Sequence, residues 1–304
     1  MACNNCSTRP VITLSNSNIS LCRECFFRYF ERKVGRTITK HEMIRKGDHV
    51  GVALSGGKDS SALVHILNKV QKRSGTFQLS ALLIDEGISG YRAKTKAFAK
   101  RVCKREDVPL VIVEYKKEYG SKLDRMLKKS GSSPCTICGV LRRYSLNKHA
   151  HDLGFSKLAT GHNLDDEAQS VLMNFFKNNM DIQARLGPVT GIVSNPDFVP
   201  RIKPFYLLTE KEVATYSYLK GLLLVAECPY HKEALREDVR NLLNDFERQY
   251  PGSKHGLINA FLRLLPLLKN EVKESGGSVK NCIRCGQPSA RTLCKCCELV
   301  ELLK

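Results

Sequence analysis

The sequence predicts an α/β protein, a doubly wound parallel sheet with helices on both faces and a small cysteine-rich block at each end. Three observations lead there. Short β-branched runs alternate with stretches of helical periodicity through the middle of the chain, the pattern of parallel strands joined by helical crossovers. A glycine turn, Ser55-Gly56-Gly57-Lys58-Asp59-Ser60, joins an apolar run to a helical one. Cys-x2-Cys pairs crowd both termini.

In chain order, residues 1–30 hold Cys3-x2-Cys6 and Cys22-x2-Cys25 and run into a helix expected over 26–33. Strands are expected near 49–54, 79–84, 110–113, 157–160 and 199–202. Beyond Pro204 the pattern turns helical, opening at Thr209-Glu210-Lys211-Glu212, where Thr209 and Glu212 can satisfy each other's backbone donors as a capping box. Helices follow over 238–248 and 257–269, with Pro266 expected to kink or shorten the last. A Gly-Ser linker at 275–278 leads to Cys282-x2-Cys285 and Cys294-x2-Cys297. The expected division is an N-terminal ribbon at 1–30, a catalytic domain at 31–275 with a helical extension from about 209, and a C-terminal ribbon at 276–304.

With 49 Lys and Arg against 30 Asp and Glu, the formal charge of +19 calls for a polyanionic partner, nucleic acid first. The excess concentrates at 92–129, where 13 basic residues face 5 acids, although such a run also suits a solvated helix face. No apolar run is long enough to span a bilayer and the N-terminus is polar, so a cytoplasmic chain without membrane attachment is expected. Paired spacing among 13 cysteines then points to metal ligation or redox work rather than disulfides.

The terminal sets carry the strongest metal signal. Cys3, Cys6, Cys22 and Cys25 have the spacing of one four-cysteine Zn²⁺ site, and Cys282, Cys285, Cys294 and Cys297 that of a second. Cys296 is left over, because Cys294 with Cys297 keeps the two-residue gap. Structural support is the expected role of both. Nucleic-acid docking is a secondary one, suggested by Arg9, Arg23 and Arg28 at one end and Arg284, Arg291 and Lys295 at the other.

The turn at 55–60 gathers backbone N–H groups at the start of a helix, where the helix dipole favours an anion with many oxygens. Gly56 and Gly57 admit phosphates close to the backbone, Lys58 adds charge and Asp59 suits a Mg²⁺ ion. A Walker A reading fails, because Gly57 stands where its Lys belongs. The whole string Ser55 to Ser60 resembles the PP-loop of the ATP pyrophosphatases. That resemblance implies an ATP site in which pyrophosphate leaves and AMP passes to the substrate. Two further loops fit the same site, since ligands in such sheets bind beyond the carboxyl ends of the strands. By the resemblance, Ile84 and Asp85 hold the adenosine, and Gly161 belongs to a nucleotide loop running through Glu167. Asp165 and Asp166 suit a helix N-terminus, and the resemblance gives Asp166 a catalytic part in activation. His162 stays a loop residue near the nucleotide.

Besides Cys103, which sits inside a basic helical pattern, three cysteines remain in the middle, in Pro134-Cys135-Thr136-Ile137-Cys138-Gly139 and at Cys228. On their own Cys135 and Cys138 fit half of a third zinc site, completed by Cys228 and Cys103, or a redox dithiol, and Cys228 alone fits a small buried apolar residue. Taken with both ribbons and the PP-loop, the set resembles the tRNA 2-thiouridine synthetases of the TtuA and Ncs type, over nearly the whole chain. The resemblance implies that Cys135, Cys138 and Cys228 are catalytic and hold a [4Fe-4S] cluster whose fourth iron lacks a protein ligand. It further implies adenylation of a uridine O2 and replacement of that oxygen by sulfur, with tRNA as substrate, sulfide or a thiocarboxylated ubiquitin-like protein as donor, and a homodimer. Persulfide chemistry without a cluster, 2-thiocytidine formation, another PP-loop ligase and a zinc-ribbon nucleic-acid binder are the rivals. Nothing in the residues chooses between an anticodon and a T-loop uridine.

Overall fold

The computed structural model describes residues 2–128, 133–191, 197–230, 234–274 and 280–303. Among them, five strands form the central sheet: β1 (His49–Ala53), β2 (Gln78–Asp85), β3 (Leu110–Glu114), β4 (Lys157–Ala159) and β5 (Arg201–Ile202). All pair in parallel, in the order β3-β2-β1-β4-β5. The chain builds outward from β1 in one direction and then in the other, so the strand order reverses between β1 and β4. Ligands of open parallel sheets settle at the carboxyl ends of the strands flanking such a reversal.

The long helices are α1 (Arg23–Lys40), α2 (Lys58–Ser74), α3 (Arg92–Glu106), α4 (Pro134–Asp152), α5 (Leu164–Phe176), α6 (Glu210–Leu219), α7 (Ala234–Gln249), α8 (Ser253–Glu274) and α9 (Lys295–Leu302). Their starts follow local chemistry. Asn163 caps α5 by accepting from the backbone N–H groups of Asp165 and Asp166, while Asp166 accepts from the Asn163 N–H at 3.1 Å. Thr209 and Glu212 close the expected box on α6, the Thr209 N–H reaching the Glu212 carboxylate at 2.6 Å. Pro134 opens α4, where its missing N–H costs nothing.

One core lies between the sheet and α1, α2, α3 and α6; another joins the opposite face to α4 and the C-terminal ribbon. α1 is far longer than its expected 26–33, because Phe26, Phe30 and Val34 put a fully buried stripe against α6. There the Phe30 ring stacks on Tyr216 at 4.0 Å. Pro266 does not shorten α8, which runs on to Glu274. The proline faces outward, where water can satisfy the carbonyl it leaves unpaired. The linker at 275–278, the proposed border after 275 and Lys129 lie outside the described residues. No helix among the described residues is long and apolar enough to cross a membrane.

Candidate active site

The phosphate loop leaves the carboxyl end of β1 and enters α2 at Lys58. Its shape depends on Gly56, whose φ is +83° and whose Cβ would lie 2.2 Å from the Thr95 carbonyl oxygen. Ser55 and Ser60 lock the loop from within, their hydroxyls 2.9 Å apart, and the Ser55 N–H donates to Ser60 Oγ at 3.1 Å. From β4 comes the loop containing Gly161, packed so closely that a Cβ there would meet Asp59 C and Ser60 N at 3.0 Å. The two loops predicted to share a site therefore touch, on either side of the strand reversal.

Carboxylates collect beside them. Lys58 Nζ lies 2.9 Å from Asp59 and 3.3 Å from Glu210. Burial opposes its charge, but the two acids hold the ammonium above its ordinary range. Asp166 is pushed up to about 6, first by burial and then by the charges of Asp59 and Glu210. Asp59, Asp166 and Glu210 thus place negative charge around the two loops, where a cation would be favoured, although among the described residues their carboxylates do not gather within 4.8 Å of one another as the terminal thiols do. Glu210 escaped the sequence reading, although the capping box placed it in the first turn of α6. Its N–H is held by Asp165 Oδ2 at 2.7 Å, and Asp165 is itself paired with the buried Lys254. Asp165 thus braces α6, while Asp166 lies nearer the other acids.

At the end of β2, Ile84 is buried and Asp85 is engaged internally, accepting from the Gly87 N–H at 2.9 Å and pairing with Lys96. The next residue, Glu86, is fully buried and was not singled out by the sequence. It pairs with buried Arg92, whose Nη1 donates to the Ser55 carbonyl at 2.9 Å. On its other side Arg142 of α4 approaches Glu86 at 3.6 Å. A Ser55–Arg92–Glu86–Arg142 chain so connects the phosphate loop to the cysteine-bearing helix.

Cys135 and Cys138 occupy the first turns of α4, both half-buried. Cys135 Sγ donates to the Tyr230 carbonyl at 2.9 Å, which brings the half-buried Cys228, two residues earlier, to the same region. Burial pushes the Cys138 thiol up to about 11 against the pull of Arg142, with Glu86 and Cys228 also acting on it. Cys103 is elsewhere, in the core beneath α3, so it cannot complete a zinc site with these three. Among the described residues, thiol groups lying within 4.8 Å of one another in threes or more are the two terminal tetrads. The internal three are not gathered that closely, and their soft donors are of the kind that suits iron and sulfide. His162 is exposed, its Nδ1 3.0 Å from Thr160 Oγ1.

In the tetrads, Cys6 Sγ lies 3.5 Å from Cys22 and 3.7 Å from Cys25, and Cys285 lies 3.7 Å from Cys294. Four thiolates about 2.3 Å from a tetrahedral ion have edges of about 3.8 Å, so both sets fit Zn²⁺. Cys282 accepts from the Cys294 N–H at 3.3 Å. Although burial opposes it, such backbone donors bring this thiol down to about 6, favouring the ligating thiolate. Cys296 stays outside, buried 3.9 Å from the Tyr119 hydroxyl.

A family model described as a PP-loop domain matches residues 28–247. Among curated proteins, the chain is 37% identical to the tRNA-5-methyluridine(54) 2-sulfurtransferase of Pyrococcus horikoshii, covering 100% of this chain and 95% of that one. It is 35% identical to the tRNA 2-thiolation protein NcsA of Haloferax volcanii, covering 100% and 99%. Among solved structures it matches the U34-tRNA thiolase NcsA from Methanococcus maripaludis with its [4Fe-4S] cluster, at TM-score 0.85 and 32% identity over 99% and 96% of the two chains. With its phosphate loop at the strand reversal and its cysteine helix beside it, the chain belongs to the PP-loop family and, within it, to the tRNA 2-thiolation proteins.

Proposed function

We propose that this protein uses ATP to replace the C2 oxygen of a tRNA uridine with sulfur. The observation that carries the reading is the side-chain connection from Ser55 through Arg92 and Glu86 to Arg142, which sets an ATP-type loop beside three thiols. A uracil carbonyl is a poor electrophile without a leaving group, so O2 first attacks the α-phosphorus of ATP and pyrophosphate departs. The N–H groups of 56–60 and Lys58 face the departing charge. Asp59, with Asp166 and Glu210 in the same region, would help hold a hydrated Mg²⁺, which supplies further neutralisation there. A sulfur nucleophile then adds at C2 and AMP leaves, giving the 2-thiouridine.

Cys135, Cys138 and Cys228 would hold a [4Fe-4S] cluster, which supplies an iron open to sulfur. Cys138 is half-buried against the apolar shell around α4, and Arg142 places a positive charge beside it, where anionic sulfur would enter. Cys3, Cys6, Cys22 and Cys25 would hold one Zn²⁺, and Cys282, Cys285, Cys294 and Cys297 another, as structural ions. Anaerobic incubation with ATP, sulfide and tRNA should yield 2-thiouridine by nucleoside mass spectrometry. A Cys228→Ala protein that retains a normal cluster and full activity would overturn the three-cysteine assignment in favour of another sulfur carrier.

A further inference from the structure

On α1, Arg28, Arg32, Arg36 and Lys40 recur every four residues and are all exposed, forming one cationic edge with a step of about 6 Å. They border a groove of about 750 Å³, closed on its far side by Arg73 from the last turn of α2. The three arginines also border a second groove, of about 660 Å³, that reaches Cys6 in the N-terminal ribbon. They stand as a ridge between two depressions.

The charge there is uncompensated. Among the described residues none of these five cations has an ion-pair partner. Glu31 lines the groove, but Lys69 holds its carboxylate at 2.7 Å. On α3, where the sequence concentrates basic residues, Arg92, Lys96 and Arg105 are paired with Glu86, Asp85 and Glu106. Position matters too. The 17 residues of α2 separate the phosphate loop from Arg73 by about 25 Å. Nothing the size of a nucleotide reaches both ends, whereas a folded RNA does.

We propose that the Arg28–Arg32–Arg36–Lys40 ridge, with Arg73, binds the phosphate backbone of the RNA substrate at a distance from the nucleotide being modified. The proposal rests on the tRNA reading above and adds the surface that holds the body of the RNA. Guanidinium groups at regular spacing favour phosphate oxygens without reading sequence, so the contact supplies affinity and orientation rather than base choice.

The test compares wild type, Arg32→Glu with Arg36→Glu, and Arg32→Lys with Arg36→Lys, titrated with tRNA at several salt concentrations. Charge reversal should weaken binding at least about tenfold and reduce the slope of log affinity against log salt by about 1.5 to 2, while the lysine pair stays near wild type. The KM for tRNA should rise and the KM for ATP stay in place. Wild-type affinity and slope in the charge-reversed protein would overturn the ridge, as would a change in oligomeric state by light scattering without loss of RNA affinity. If wild type binds tRNA in a ridge-dependent way but never thiolates it, the functional reading fails and the ridge stands.

Discussion

Gly56 and Asp59 shape the same loop in different ways. Gly56 is fixed by backbone conformation and by the Thr95 carbonyl against it, so Gly56→Ala should displace the loop and reduce both nucleotide affinity and turnover. Asp59→Ala leaves the backbone intact and should lower tRNA-dependent pyrophosphate release on the order of 10²-fold or more, with tRNA binding retained. Wild-type pyrophosphate release from the Asp59 variant would remove it from the chemistry. Lys203 and Glu167 pair at 2.7 Å with both side chains buried, so Lys203→Met should strand a buried carboxylate and cost roughly 3 to 5 kcal/mol, read as a lower denaturation midpoint. The motif residues were legible because glycine turns and Cys-x2-Cys pairs are local. Glu86, Arg92 and Glu210 were not, because what links them to the site is long-range: Arg92 reaches the Ser55 carbonyl across 37 positions and Glu210 meets Lys58 across 152.

The ribbons brace different helices of the candidate site. The N-terminal ribbon runs directly into α1, which grips α6 through Phe30 against Tyr216 and through the Tyr29 hydroxyl donating to Glu212 at 2.6 Å. That holds the helix carrying Glu210. The C-terminal ribbon packs on α4, where Tyr119 bridges Cys296 to Ser145 at 2.7 Å and Asn147 donates to Gln287 at 3.1 Å. Cys285→Ser should therefore lower iron retention and thiolation more than pyrophosphate release. Cys22→Ser should impair pyrophosphate release and cost about 4 kcal/mol or more through loss of metal-linked folding energy. Zinc and iron content, with calorimetry, separate the two variants. All five strands were legible to within two residues at their ends, because buried parallel strands read as short continuous apolar runs. The length of α1 was not, because its stripe is defined by Tyr216 and Phe205, which belong to distant segments.

At the scale of the whole molecule, the net charge of +19 indicated a polyanion but not where it sits. The run at 92–129 looked richest, yet folding pairs several of its cations internally and leaves the α1 edge free. Overall likeness does not set the modified position either, since relatives of similar identity carry names for position 54 and for U34. The central claim is coupling: one ATP cleaved to AMP and pyrophosphate for each oxygen replaced by sulfur. It is tested most directly by counting pyrophosphate and 2-thiouridine together in one anaerobic reaction with tRNA and sulfide. The account predicts equal amounts of the two, and none of either when ATP or tRNA is left out. Thiouridine formed without ATP, or steady pyrophosphate release with no sulfur incorporated, would contradict it.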